Sequence, residues 1–215
     1  MNEKIYLHTI NNGCRSIYTS KKQLEVFKQI LESGELRSLR LQGKEMHPTF
    51  SGLDYISLSD YEKRDICNKE QAGYNTFNGY ARDGISFAFP HENLDVIEPE
   101  IIGICSKSIR DFELMTKLGL SEEGRYTDLP DEVQVKDRVS LDKMSGITFP
   151  VESYLDTVFF RRKKVKLELI KQEINIIKEL LDKYNYNDIN LYNIDDLQEI
   201  NDDYLEERIM LTKTK

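Results

Sequence analysis

A histidine, two alternating hydroxyls and a late carboxylate are the residues of this 215-residue chain best equipped for chemistry. His8 lies in the run Lys4-Ile5-Tyr6-Leu7-His8-Thr9-Ile10, Ser57 and Ser59 alternate in Tyr55-Ile56-Ser57-Leu58-Ser59, and Glu132 opens Glu132-Val133-Gln134-Val135. A neutral imidazole offers one donor and one acceptor, so His8 can hold a hydroxyl without adding charge. A fixed carboxylate in a dry site stabilises developing positive charge, and the rings of Tyr55, Tyr74 and Tyr80 offer flat faces to a planar group. Each also has a plain structural alternative: a hydrogen-bonded strand histidine, edge-strand serines, a solvent-facing glutamate, packed tyrosines. Zinc chemistry is not expected. His8, His47 and His91 stand apart, and Cys14, Cys67 and Cys105 form no CxxC pair and read as free thiols of a reducing compartment.

The elements that must position these residues follow from periodicity. Residues 4–10 are β-branched and aromatic and read as a first strand, with Tyr6, His8 and Ile10 on one face. Ser20 and Gln23 form a capping box ahead of Leu24, Phe27, Ile30 and Leu31 at helical spacing, and Gly34 supplies the stop. Further strands are expected at 55–59, 84–89, 101–105 and 132–135, and a helix from Ser108 to Leu118. Between them, 62–82 is a long polar and aromatic loop, expected to border a cleft and to move. Leu167, Ile170, Ile174, Ile177, Leu181 and Tyr184 step by three and four, the pattern of an amphipathic helix. Its stripe is expected on the chain's own core, with a dimer seam or partner contact through 160–184 as the alternative. Residues 185–193 read as a linker, and Asp195 or Asp196 as the cap of a last helix carrying Leu197, Ile200 and Tyr204. This order predicts an α+β domain over 1–157 with a helical extension, 158–215, packed on it.

Taken in order, the strand bearing His8, the helix over 24–36, the Ser57-x-Ser59 strand and the late strand bearing Glu132 resemble the ADP-ribosyltransferases, most of all their DarT-related branch. The likeness spans roughly residues 5–147. It implies a split β-sandwich that binds NAD as a substrate in a cleft between two small sheets and cleaves the nicotinamide–ribose bond through an oxocarbenium-like state. On that resemblance Glu132 is the catalytic carboxylate near the ribose 2′-hydroxyl, His8 and Thr9 hold the ribose, and Ser57 and Ser59 brace the cleft, one of them toward Glu132. Tyr55, Tyr74 or Tyr80 would stack on nicotinamide. Many members carry the catalytic residue second in a Glu-x-Glu or Gln-x-Glu pair, where this chain has Gln134; a single-Glu branch places it where Glu132 stands, and activity is expected on that register. No first-strand Arg is present, since Arg15 follows the strand, so the His class is the better match.

Composition limits the partners. A formal net charge of -8, with 39% hydrophobic and 32% charged residues, fits a folded globular chain and weighs against one held mainly to a phosphate backbone. The basic run Arg161, Arg162, Lys163, Lys164 and Lys166 reads as a solvated helix face. No apolar leader or membrane span is apparent, so a cytoplasmic protein, or one delivered into a host cell without a standard signal, is expected. Abundant Asn, Ile, Lys and Tyr suggests a bacterial or phage source, which suits a toxin, effector or defence role. The acceptor of ADP-ribose, protein or nucleic acid, is not written in the sequence. A catalytically inactive binding module using the helices after Val158 is the alternative, and an RNA 2′-phosphotransferase is disfavoured because no cationic cluster is apparent in the first three-quarters of the chain.

Overall fold

Tyr6 and Leu7 are adjacent and both buried, yet they belong to different hydrophobic clusters. Their strand is therefore covered on both sides, and the architecture follows from that. The computed structural model describes residues 4–10, 17–38, 40–43, 54–61, 84–96, 132–151 and 163–211. Its main element is a six-stranded sheet built from β1 (Ile5–Thr9), β3 (Tyr55–Asp60), β4 (Ser86–Pro90), β5 (Glu132–Lys136), β7 (Gly146–Phe149) and β8 (Leu191–Asn193). They lie in the order β5-β3-β1-β4-β7-β8; every pairing is antiparallel except β7 with β8. A two-stranded sheet pairs β2 (Glu35–Arg37) with β6 (Arg138–Ser140).

The larger core lies on the face that presents Tyr6, Ile56, Leu58, Phe87, Phe89, Val133, Val135 and Ile147. Helix α1 (Ile17–Ser33) packs there through Phe27, whose ring stacks on Phe87 at 5.3 Å between centroids. Helix α2 (Lys163–Lys183) buries Ile170, Ile174, Ile177 and Leu181 in the same core, so its apolar stripe is spent within the chain. Burial of each such side chain stabilises by about 1.5–3 kcal/mol. The opposite face carries the small cluster of Leu7, Ala88 and Ile194.

Several local expectations change. Gly34 does end α1, with φ of 69° and its N–H donating to the carbonyls of Ile30 and Leu31. The helix begins at Ile17, however, so Ser20 lies within its first turn rather than at its N-cap position. Gln23 is drawn into the interior, 4% exposed and close to Gly84, where a capping box would have turned it back. The stretch 185–193 is no simple linker: it ends in β8, which joins the main sheet, so the C-terminal segment contributes a strand as well as helices. The last helix, α3 (Asp202–Leu211), is capped by Asn201, whose Oδ1 accepts from the Tyr204 N–H at 2.9 Å. Asp195 and Asp196 precede it. Asp196 accepts instead from the Gln198 N–H, the Tyr204 hydroxyl and Arg208, and Leu197 sits outside the helix with φ of 54°.

The expected pair of small sheets is one large sheet and one small one. They meet at Asp137, whose left-handed φ of 60° turns β5 into β6, a conformation Asp tolerates better than most residues. Its carbonyl accepts from Ser38 N–H and its N–H donates to the Asp54 carbonyl, which ties the junction down. The expected elements at 62–82, 101–105 and 108–118 lie outside the described residues, as do Arg161, Arg162 and all three cysteines. Among the described residues no helix is long and apolar enough to cross a membrane.

Candidate functional site

Register decides which candidate residues meet. In β3 and β5, Leu58 faces Val133 and Ile56 faces Val135, all four buried in the main core. The alternate positions necessarily take the other face. There Ser59 stands across from Glu132 and Ser57 across from Gln134. The same face continues through β1, because Leu7 is the partner of Ser59 on its other side. One cross-sheet row thus runs Glu132, Ser59, Leu7, Ala88 and Gly146. Beside it runs a second row of polar positions: Gln134 and Ser57, then Thr9, Ser86, Thr148 and Tyr192.

Hydrogen-bonding groups on this face are buried to an unusual degree. Thr9 Oγ1 and Ser86 Oγ lie 2.8 Å apart, Ser86 and Thr148 are wholly buried, and Gln134 is 8% exposed. The Thr148 hydroxyl has no hydrogen-bond partner among the described residues. A buried hydroxyl left without a partner costs about 1–3 kcal/mol and calls for an explanation, a ligand group being one. Ser86 and Thr148 were not among the residues that sequence reasoning singled out. The alternation in Ser86-Phe87-Ala88-Phe89 carried the signal for the first; Gly146-Ile147-Thr148-Phe149 alternates too, but is too short to stand out.

His8 is not part of this group. Its partner in β4 is Phe87, and it shares the core face with Tyr6 and Ile10, half-buried. In the backbone register, position 8 alternates away from the row that joins positions 7, 59 and 132. The reason is parity: the Leu7–Ser59 register pairs odd positions with odd ones, so position 8 points away from 57, 59 and 132. Thr9 does share their face. Tyr55, half-buried and across from Lys136, also falls on it at the end of β3. Tyr74 and Tyr80 lie outside the described residues.

The chain matches no family model and no curated protein. Two solved structures are similar to it. The structure of Thermus sp. 2.9 DarT in complex with carba-NAD+ is 11% identical, with a TM-score of 0.38 over 85% of this chain and 92% of that one. That of Thermus sp. 2.9 DarT in complex with NAD+ is 12% identical, with a TM-score of 0.35 over 75% of this chain and 93% of that one. At such values neither likeness defines the fold or the activity of this chain.

Proposed function

We propose that this protein is an NAD-dependent mono-ADP-ribosyltransferase whose site is the polar face of the main sheet, with Glu132 as its catalytic carboxylate. The observation that carries the reading is the register of β3 on β5, which sets Ser59 beside Glu132 although 72 positions separate them in sequence. A Ser-x-Ser strand paired with the strand of a carboxylate supports this reading. Thr9, half-buried and hydrogen-bonded to Ser86 behind it, adds a hydroxyl on the same face, suited to a hydroxyl of a ribose.

The chemistry assigned to Glu132 is electrostatic. The bond between C1′ of the ribose and the nicotinamide nitrogen breaks, and its electron pair leaves with neutral nicotinamide. Positive charge then spreads over C1′ and the ring oxygen, where a fixed carboxylate stabilises it most. Glycosidases meet the same electronic demand with carboxylates. A nucleophile of the acceptor bonds to C1′ and gives up its proton. Tyr55 is assigned to stacking on the leaving ring, and Ser57 and Ser59 to bracing the strand. Acceptor choice is assigned to 37–54, 62–82 and 121–131, largely outside the described residues.

A second reading is a catalytically inactive binding module on the same scaffold. His8 on the opposite face favours it, as does a buried amide, Gln134, two positions beyond Glu132 on the same strand face. Incubation of the purified protein with NAD labelled in the nicotinamide ring, with and without cell lysate, separates the two. Nicotinamide release supports the transferase; NAD binding without release supports the module.

A further inference from the structure

Between β5, β6 and the turn after β4 lies a groove of about 390 Å³ with an apolar floor and a cationic rim. Leu94, Val135 and Val139, at most 8% exposed, form the floor. Lys136, Arg138 and Lys143 stand around it with exposed side chains, and Asp95 is the one acid among its described lining residues. The walls are fastened: the Leu94 N–H donates to the His91 carbonyl at 3.1 Å, and Asn93 Nδ2 donates to the Lys143 carbonyl at 3.1 Å. These cations form a cluster that sequence spacing did not reveal, because the left-handed bend at Asp137 brings Lys136 and Arg138 from two different sheets to one groove.

Three cations against one carboxylate are a marked local excess in a chain of net charge -8. They are also poorly neutralised. Among the described residues Lys136 and Lys143 have no ion-pair partner, and Arg138 Nη1 reaches Glu35 only at 3.6 Å. Arg37 Nε already holds that carboxylate at 2.6 Å. Like charges so gathered repel one another until an anion joins them.

We propose that this groove binds an organic phosphate of about mononucleotide size, its flat or apolar body on the Leu94–Val139 floor and its phosphate on the cationic rim. The volume lies within the roughly 300–1,000 Å³ typical of small-molecule sites. A phosphate matches the rim because Arg138 can engage two of its oxygens while the lysines add charge. The floor residues Leu94, Val135 and Val139 belong to the core side, whereas positions 132 and 134 take the other side. Of the rim, Lys136 shares their face, across from Tyr55, so the floor lies apart from the transferase face and competition with NAD tests the separation.

The test titrates the full-length protein with AMP, adenosine and inorganic phosphate by calorimetry, on wild type, Lys143→Glu and Lys143→Gln, with melting curves to verify folding. AMP should bind at least about tenfold tighter than either fragment, weaken with added salt, and lose about tenfold or more on Lys143→Glu, with Lys143→Gln intermediate. AMP binding no better than adenosine, or unmoved by both variants when they melt as wild type does, overturns the proposal. So does displacement of AMP by NAD, which would make the groove part of the NAD site. AMP binding that resists NAD upholds the groove whether or not the protein turns NAD over.

Discussion

Ser59 is the cross-strand partner of Glu132, and Ser57 that of Gln134, so each serine reports on one of the two possible registers of the catalytic position. If position 132 carries the charge, Ser59→Ala should slow nicotinamide release by about tenfold, the loss of one hydrogen bond to a charged group. Ser57→Ala should cost less than about threefold. Initial rates of the two variants at saturating NAD decide it; a larger loss from Ser57→Ala than from Ser59→Ala would contradict the assignment of Glu132.

His8 shares its face with Tyr6 and Phe87 rather than with Glu132. His8→Ala should therefore leave both kcat and KM for NAD within about twofold, while removing whatever it contributes to packing. Steady-state kinetics on a variant whose melting temperature is known test this, and a rise of tenfold or more in KM would return His8 to the ribose.

Asp196 ties the C-terminal segment together by accepting from the Gln198 N–H at 3.0 Å, the Tyr204 hydroxyl at 3.1 Å and Arg208. Burial alone pushes its carboxyl up, but these hydrogen bonds and the Arg208 charge outweigh it and hold the group below the usual carboxylate range. A depressed folded-state value means that the stabilisation is fully present above the unfolded value, near pH 4, and is lost as pH falls through the folded one. Asp196→Asn should cost about 1–3 kcal/mol at pH 7 and progressively less below pH 4. Denaturant unfolding at both pH values measures it, and a cost independent of pH would count against the assignment.

What could be read in the sequence was what depends on residues near one another along the chain. Period-two alternation revealed β1, β3 and β5, and steps of three and four placed Ile170, Ile174, Ile177 and Leu181 on the buried stripe of α2. What depends on pairing was not legible. Nothing in Tyr6-Leu7-His8-Thr9 says that Leu7 will stand against Ser59, and a one-residue shift would have put His8 on the face of Glu132. Strands of three or four residues, such as β2, β6, β7 and β8, are too short for periodicity and form because partners are already in place. The cap of α3 was misread for a related reason: Asp196 has the right chemistry for a cap, but Arg208 and Tyr204 claim it from across the segment.

The central claim is that Glu132 supplies the charge for breaking the nicotinamide–ribose bond, and nicotinamide release by wild type, Glu132→Gln and Gln134→Glu tests it most directly. Glu132→Gln keeps the side chain's shape and hydrogen-bonding capacity but removes its charge, so NAD affinity should stay within a few fold while release falls by about 10² to 10³. Gln134→Glu should leave an already active enzyme little changed. A wild type that releases no nicotinamide, beside a Gln134→Glu variant that does, would contradict the claim and make the natural protein an inactive binding module.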